Sequence, residues 1–226
     1  MISKYEYSDR IIIRIYDSDV LYSNVTNICY ESIVNGFYGA EVFPNMVDLC
    51  SRVVRDTNVK ILATISYPYG TFLPEQKAFE INDALAIGAH GVNVCIDTLN
   101  VRSKEWGLVR AEMHQAREVS TGKILNYIFE MEYFTDEQIQ KCCEIACEEK
   151  IDGIITSTGL YSRVDENKND IPICVTEKDV EKIRKFTGDT VKIIAQGHIN
   201  SKDKAESLIK SGADFISIEN AIPFLY

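Results

Sequence analysis

Short apolar segments alternate with amphipathic segments along the whole chain. The apolar segments are rich in branched residues and run without interruption, which is typical of strands covered on both faces in a parallel sheet. This pattern predicts eight strands, at residues 10–16, 39–43, 60–65, 91–96, 123–129, 153–156, 191–195 and 214–218. Apolar residues at helical spacing predict seven helices between them, at residues 24–35, 45–55, 74–88, 104–120, 135–150, 176–186 and 201–212.

Local signals support these helix boundaries. Thr135 and Gln138 form a capping box before the fifth helix, Ser201 caps the seventh, and glycines follow the third and the seventh. The regular alternation of strands and helices predicts one domain over residues 1–226, a single-domain (β/α)8 TIM barrel, with a doubly wound open sheet as the alternative. The polar residues 162–170 are predicted to form a long loop. The short segment after the last strand leaves little room for an eighth helix, and such a gap would leave one flank of the barrel for a partner.

Composition narrows the class of protein. Hydrophobic residues make up 46% of the 226 residues and charged residues 26%, which is typical of a folded globular chain. The formal net charge of −10 argues against nucleic acid and anionic membranes as partners. We find no apolar run long enough to span a membrane and no signal peptide at the start, so a cytoplasmic protein is expected.

The cysteines indicate reduced thiols. The chain has 7 cysteines, an odd number, and no C-x-x-C pair. Cys142, Cys143 and Cys147 lie on one predicted helix without a neighbouring histidine, which favours packing in the core over metal binding. We therefore predict no metal site and no cofactor.

Two segments carry a resemblance to a known family. Residues 62–97, which contain "SYPYG" and "GVNVCID", and residues 123–160, which end in "DGIITSTGL", resemble the deoxyribose-phosphate aldolase family, and the similarity extends over nearly the whole chain. The resemblance implies a TIM barrel and a class I aldolase. In such an enzyme a lysine forms a Schiff base with a carbonyl substrate, acid/base groups move protons, and a loop holds a phosphate.

The residues that would perform this chemistry are replaced. The family's Schiff-base lysine falls on Ile155, its second lysine on Ile194, and its acid/base aspartate on Asn93. Isoleucine cannot form an imine, and asparagine does not exchange a proton near neutral pH. The resemblance therefore implies an aldolase-type barrel in which Schiff-base chemistry is lost or displaced.

The ligand-binding end is only partly retained. At the family's phosphate-binding positions this chain has Gly197-His198-Ile199-Asn200 and Ser217-Ile218-Glu219-Asn220, and a carboxylate at Glu219 would repel a phosphate unless a cation intervened. The turn at Pro68 and Glu130 are kept. The predicted ligand-binding residues are Thr156, Ser157, Thr158, Gly159, Gly197 and His198.

Four other residues are candidates for catalysis. Alternation places Lys192 on the same inward face as Ile194, from where its amine could rise to the site, although a lysine at the start of a strand also commonly points to solvent. Glu41 should point inward and act as a base, or only neutralise Lys192. One of Glu130 and Glu132 should face the pocket.

His198 could exchange protons or contact an anion, or it has no role. Two function classes follow: a lyase acting on a small carbonyl or sugar compound, and a non-catalytic barrel that senses a small molecule or acts as a partner subunit. Both function classes are compatible with a homo-oligomer.

Overall fold

Eight parallel strands close into a barrel in the computed structural model, which describes residues 5–16, 20–160, 162–164 and 168–225. The barrel strands are β1 (Ile11–Arg14), β2 (Gly39–Val42), β3 (Lys60–Ile65), β4 (Gly91–Cys95), β5 (Ile124–Ile128), β6 (Gly153–Ile155), β9 (Lys192–Gln196) and β10 (Phe215–Ile218). They follow one another in chain order, and β10 pairs with β1 to close the barrel. The predicted TIM barrel is confirmed, and the open-sheet alternative is wrong.

Helices cover the outside of the barrel. They are α1 (Tyr22–Asn35), α2 (Val47–Val53), α3 (Pro74–Ala86), α4 (Thr98–Arg102), α5 (Trp106–Val119), α6 (Asp136–Glu148), α7 (Glu177–Thr187), α8 (Lys202–Lys210) and α9 (Ile222–Leu225). The predicted capping box at α6 is present, because Thr135 Oγ1 accepts from Gln138 N at 3.3 Å and Gln138 Oε1 accepts from Thr135 N at 2.9 Å. Ser201 caps α8 as predicted.

Several local elements differ from the prediction, and one of them is the short helix α9, which follows the last strand where little room for a helix was expected. Helix α4 was not predicted, since it has only 5 residues; the side chain of Asp97 caps its first turn. Within the predicted loop at residues 162–170, β7 (Ser162–Val164) and β8 (Asp170–Pro172) form an antiparallel pair. Their polar composition hides this pairing from hydrophobic patterning. Residues 165–167 of that loop lie outside the described residues.

The apolar core has two layers. Outward-facing strand residues pack against the helices, and this layer includes Cys142 and Cys143, so the packing predicted for these two cysteines is confirmed. Burial raises the pKa of Cys142 to about 12, which keeps its thiol protonated. A smaller cluster fills the inside of the barrel and consists of Ile12, Leu62, Cys95, Ile128, Ile155 and Ile194. Burying each large side chain stabilises the fold by about 1.5–3 kcal/mol.

Over the ranges described, no helix has the length and apolar character needed to cross a membrane. Within the same residues, no group of three His, Cys, Asp or Glu side chains is arranged to hold a metal ion.

Candidate functional site

Polar side chains meet inside the barrel at the carboxyl ends of its strands, an opening that we call the mouth. Alternation along each strand points every second residue into the barrel. In this way β1 contributes Arg14, β2 Glu41 and β3 Thr64 at the mouth, whereas β4 Asn93 and β5 Asn126 project inward from the middle of their strands, each of the five at most 4% exposed. Active sites of TIM barrels lie at this end, so the mouth is the candidate site.

A hydrogen-bonded chain links these strands. Glu41 Oε1 accepts from Asn93 Nδ2 at 2.6 Å and from Thr64 Oγ1 at 3.2 Å. Asn93 Oδ1 in turn accepts from Asn126 Nδ2 at 2.9 Å. Asn93, at the family's acid/base position, therefore acts as a donor that holds a carboxylate. Glu41 points inward as predicted, but its partners are Asn93 and Thr64 and not Lys192, so the expectation that it neutralises Lys192 is wrong.

Arg14 is a buried cation at the mouth that sequence analysis did not single out. Its Nη1 donates to the carbonyl oxygen of Thr158, and its Nη2 forms an ion pair with Glu219 Oε1. The Arg14 side chain is 2% exposed, whereas that of Glu219 is 54% exposed. A signal was available in the sequence, since Arg14 interrupts an apolar strand at the same inward parity as Ile12. Arg14 is thus the cation that intervenes beside Glu219.

Gly159 is required where this arginine passes. Its φ is +69°, in the left-handed region, and a Cβ added to it would lie 2.2 Å from Arg14 Nη2. Any other residue would be strained and would displace the guanidinium. The glycine of the Thr-Ser-Thr-Gly loop therefore makes room for a side chain of this chain.

The loop formed by Thr156, Ser157, Thr158 and Gly159 is tied to the end of β9. The hydroxyls of Thr156 and Ser157 both donate to the carbonyl oxygen of Gln196 at 2.8 Å. In return, Gln196 Nε2 donates to the carbonyl oxygen of Ser157 at 2.8 Å. The predicted ligand-binding hydroxyls are brought to the mouth, where their described hydrogen bonds join them to the protein itself.

Glu130, which follows β5, is hydrogen-bonded to the same loop. Its carboxylate accepts from the backbone N–H of Thr158. Burial raises the pKa of Glu130, and the hydrogen bonds from Thr158 oppose this increase. Glu130 is buried while Glu132 is exposed, and a role of Glu130 toward a ligand stays a prediction.

The two family lysine positions lie side by side in the interior. Ile155 on β6 pairs with Ile194 on β9, and they are 1% and 2% exposed. Both belong to the apolar cluster that fills the barrel. This surrounding is suited to isoleucine, because a charged lysine there would lose its hydration.

Lys192 does not lie near the mouth, which corrects its predicted position. It is the first residue of β9, so it stands at the opposite end of the barrel, where its Nζ contacts Asp214 Oδ1 at 2.9 Å. Its side chain is 61% exposed. The inward parity with Ile194 was correct, but parallel strands place their first residues together at the amino end, away from Glu41 and Glu130.

His198 and Gly197 follow β9 at the mouth. Both have positive φ, +133° for Gly197 and +49° for His198, and the His198 side chain is half-buried. A Cβ added to Gly197 would lie 3.1 Å from Ser157 Oγ, so this glycine permits the close approach of the two loops. The proposed acid/base or anion-binding role of His198 stays a prediction.

Three aromatic side chains pack together beside the polar chain. Tyr16, Phe43 and Tyr67 follow β1, β2 and β3, and their ring centroids lie between 4.6 and 5.7 Å apart. The Tyr16 hydroxyl is 2.5 Å from Thr64 Oγ1, which places this group next to Glu41. Burial raises the pKa of Tyr16 well above its usual value, so the phenol stays protonated.

Comparison with known proteins finds relatives that are deoxyribose-phosphate aldolases. No model of a protein family matches the chain. It is 30% identical over 196 residues to deoxyribose-phosphate aldolase 1 of Bacillus licheniformis, which covers 86% of this chain and 83% of the relative. The deoxyribose-phosphate aldolase of Mannheimia succiniciproducens is also 30% identical, over 202 residues that cover 89% of this chain and 86% of the relative.

Solved structures share the fold. QR15, an aldolase, has a TM-score of 0.84 and 25% identity, and the match covers 99% of this chain and 94% of QR15. Deoxyribose-phosphate aldolase from Aeropyrum pernix, described as a unique tetrameric structure, has a TM-score of 0.83 and 22% identity over 96% of this chain and 88% of that one. The second likeness concerns the fold alone.

Proposed function

Because this chain belongs to the deoxyribose-phosphate aldolase family, we propose that it binds a small carbonyl or sugar compound at the barrel mouth and forms no imine with it. A homo-oligomer is part of the same proposal, since the Aeropyrum pernix relative is described as tetrameric. The protein is then an aldolase-like barrel that acts as a sensor or a partner subunit.

One observation supports this proposal above the others: among the described residues, no lysine amine lies inside the barrel near the mouth. Imine formation needs a lysine whose neutral amine reaches the substrate carbonyl. Of the inward-facing strand residues that the structure describes from the middle of the barrel to the mouth, none is a lysine. Lys77 is buried, but it lies on the helix side, where its Nζ contacts Cys95 O and Glu112 Oε1, each at 2.8 Å.

A second candidate function rests on Glu130. A buried carboxyl with a raised pKa beside a ligand loop is suited to general acid/base catalysis, so the same mouth could move a proton on a carbonyl compound without an imine. A Glu130→Gln variant separates the two functions. Loss of turnover with ligand binding kept supports proton transfer, whereas a wild-type protein without turnover supports the sensor.

Intact-mass measurement after sodium borohydride reduction tests the main proposal. The wild type is incubated with acetaldehyde and, separately, with deoxyribose 5-phosphate. We expect no mass increase from a reduced imine, either in the wild type or in Lys192→Ala. The Bacillus licheniformis relative serves as the positive control for trapping.

An Ile155→Lys variant serves as a matched control within this chain. It restores an amine at the family position, and its burial lowers the lysine pKa and favours the neutral nucleophile. We expect an acetaldehyde adduct only in this variant, provided that circular dichroism shows it folded. A single adduct on the wild type would contradict the proposal.

A further inference from the structure

Four buried polar atoms at the mouth have no hydrogen-bond partner among the residues that the structure describes. They are Gln196 Oε1, Ser217 Oγ, Arg14 Nε and Glu41 Oε2. We call these four residues the polar arc. Buried polar groups in folded proteins are nearly always paired, so an unpaired group needs an explanation such as a bound molecule.

The polar arc is continuous around one side of the barrel. Its residues lie on β9, β10, β1 and β2, which are consecutive neighbours in the closed sheet. Gln196 is in register with Ser217, and Arg14 is in register with Glu41. Neighbouring strands lie about 4.8 Å apart, so atoms on adjacent strands can contact one small molecule.

The arc requires both kinds of hydrogen-bonding partner. Glu41 Oε2 and Gln196 Oε1 are acceptors, Arg14 Nε is a donor, and the Ser217 hydroxyl can do either. A molecule that satisfies the arc must therefore donate through hydroxyl groups and accept through a carbonyl or hydroxyl oxygen. Several hydroxyls beside a carbonyl meet this requirement.

Charge at the mouth disfavours an anion. Arg14 is already ion-paired with Glu219, and the carboxyl groups of Glu41 and Glu130 lie in the same opening. The guanidinium therefore has no uncompensated charge to offer to a phosphate.

The Thr-Ser-Thr-Gly loop also has few donors left. The N–H of Thr158 donates to Glu130, that of Gly159 to Ser157 Oγ at 3.2 Å, and that of Leu160 to Thr158 Oγ1 at 3.3 Å. Backbone N–H groups of such loops are what usually cradles a phosphate. The three N–H groups of this loop are used within the protein.

We propose that the polar arc binds an uncharged polyhydroxylated carbonyl compound, an unphosphorylated sugar, in preference to its phosphate ester. This inference rests on the proposed function and names the ligand class of that site. The rings of Tyr16, Phe43 and Tyr67 lie beside the arc and present an apolar surface to the carbon face of a sugar.

Isothermal titration calorimetry of the full chain with 2-deoxyribose and with 2-deoxyribose 5-phosphate tests the inference. The wild type should bind the neutral sugar about tenfold more tightly, since the phosphate meets uncompensated carboxylates. Tighter binding of the phosphate, or no binding of 2-deoxyribose, would overturn the inference.

Glu219→Gln should reverse part of this preference. It leaves Arg14 without its counter-charge, so affinity for the phosphate should rise about tenfold while that for 2-deoxyribose stays within about twofold. Glu148→Gln is the matched control, because Glu148 is also 54% exposed and paired with an arginine, Arg110, on the outer helices. An equal effect of both variants would contradict the role of Glu219.

Ser217→Ala separates binding from folding. Its hydroxyl has no partner among the described residues, so removing it should leave the melting temperature unchanged or raise it, while 2-deoxyribose binding weakens about fivefold. Ser32→Ala should lower the melting temperature and leave 2-deoxyribose binding unchanged, since Ser32 Oγ is buried and donates to Ile28 O at 2.8 Å on α1. Unchanged affinity in Ser217→Ala would refute the arc. A borohydride adduct on the wild type would refute the proposed function and not this sugar preference.

Discussion

The identity of the residue at position 93 fits the carboxylate of Glu41, to which its side chain is hydrogen-bonded. The Asn93 amide donates to Glu41 Oε1 at 2.6 Å. An aspartate at residue 93 would instead place two carboxylates in contact inside a closed interior, where like charges repel strongly. The amide at the family's acid/base position therefore pairs with the glutamate on β2, and the two side chains form one hydrogen-bonded unit.

Asn93→Asp should destabilise the protein in a way that depends on pH. In this variant the two neighbouring carboxyls share one proton, so one of them has a higher pKa in the folded than in the unfolded state. The stability of the variant therefore falls as the pH rises from the unfolded-state pKa to the folded-state pKa. We expect a loss of about 1–3 kcal/mol at pH 7 that becomes smaller toward pH 4, measured by urea unfolding. Asn100→Asp is the control, because Asn100 also donates to a carboxylate, Asp97 Oδ2 at 3.1 Å, but at a less buried position. A pH-independent loss would contradict the shared proton.

At the scale of elements, one buried ion pair joins two outer helices. Lys77 on α3 and Glu112 on α5 lie 2.8 Å apart and are 1% and 3% exposed. Burial raises the pKa of Glu112, and the nearby Lys77 ammonium opposes the increase. Lys77 also donates to the carbonyl oxygen of Cys95, so the pair anchors both helices to the end of β4.

Breaking this pair on one side should cost more than replacing it entirely. Lys77→Met leaves an unpaired buried carboxyl and should cost about 3–5 kcal/mol, whereas Lys77→Met with Glu112→Met should cost less. Urea unfolding of both single variants and the double variant gives the coupling energy. Glu137→Gln is the exposed counterpart, since Glu137 pairs with Lys104 at the surface, and it should change stability by less than about 1 kcal/mol. Additive losses would show that the pair is not coupled.

At the scale of the whole molecule, the amino end of the barrel is held by a cluster around Asp214. Its carboxylate accepts from Ile193 N at 2.9 Å, from Lys192 at 2.9 Å and from Arg184 at 2.6 Å, and Arg184 also donates to Gly212 O. The cluster links β9, α7 and the segment before β10. Lys192 therefore helps to hold β9 to the segment before β10 at the end opposite to the mouth.

Asp214→Asn should weaken the fold at neutral pH and much less in acid. Burial favours a higher pKa, but the hydrogen bonds from Ile193, Lys192 and Arg184 outweigh it and hold the pKa of Asp214 below its usual 3.8. A carboxyl whose pKa is lower in the folded state stabilises the fold at pH values above its unfolded-state pKa. This stabilisation is lost as the pH falls through its folded-state pKa. We expect a loss of about 1–3 kcal/mol at pH 7 that shrinks below pH 4.

Thermal unfolding across pH checks this expectation. Lys192→Ala removes only an exposed partner and should cost less than about 1 kcal/mol without affecting sugar binding. A stability difference between Asp214→Asn and the wild type that stays constant down to pH 3 would contradict the expected pH dependence.

The sequence by itself determined the order of strands and helices and the face on which each strand residue lies. Hydrophobic period is a local property, so it predicted the eight barrel strands, the inward direction of Glu41 and the shared inward face of Lys192 and Ile194. The absence of lysine from both family positions could also be stated from residue identity alone.

Only the tertiary structure decided which inward residues meet. Arg14 contacts residues 144 and 205 positions away, because closing the barrel brings β1 beside β10 and near the loop after β6. Parity assigned Lys192 to the correct face, but the level at which it lies in the barrel depends on how β9 aligns with its neighbours. Partners of this kind are set by strand register and closure, which no local pattern encodes.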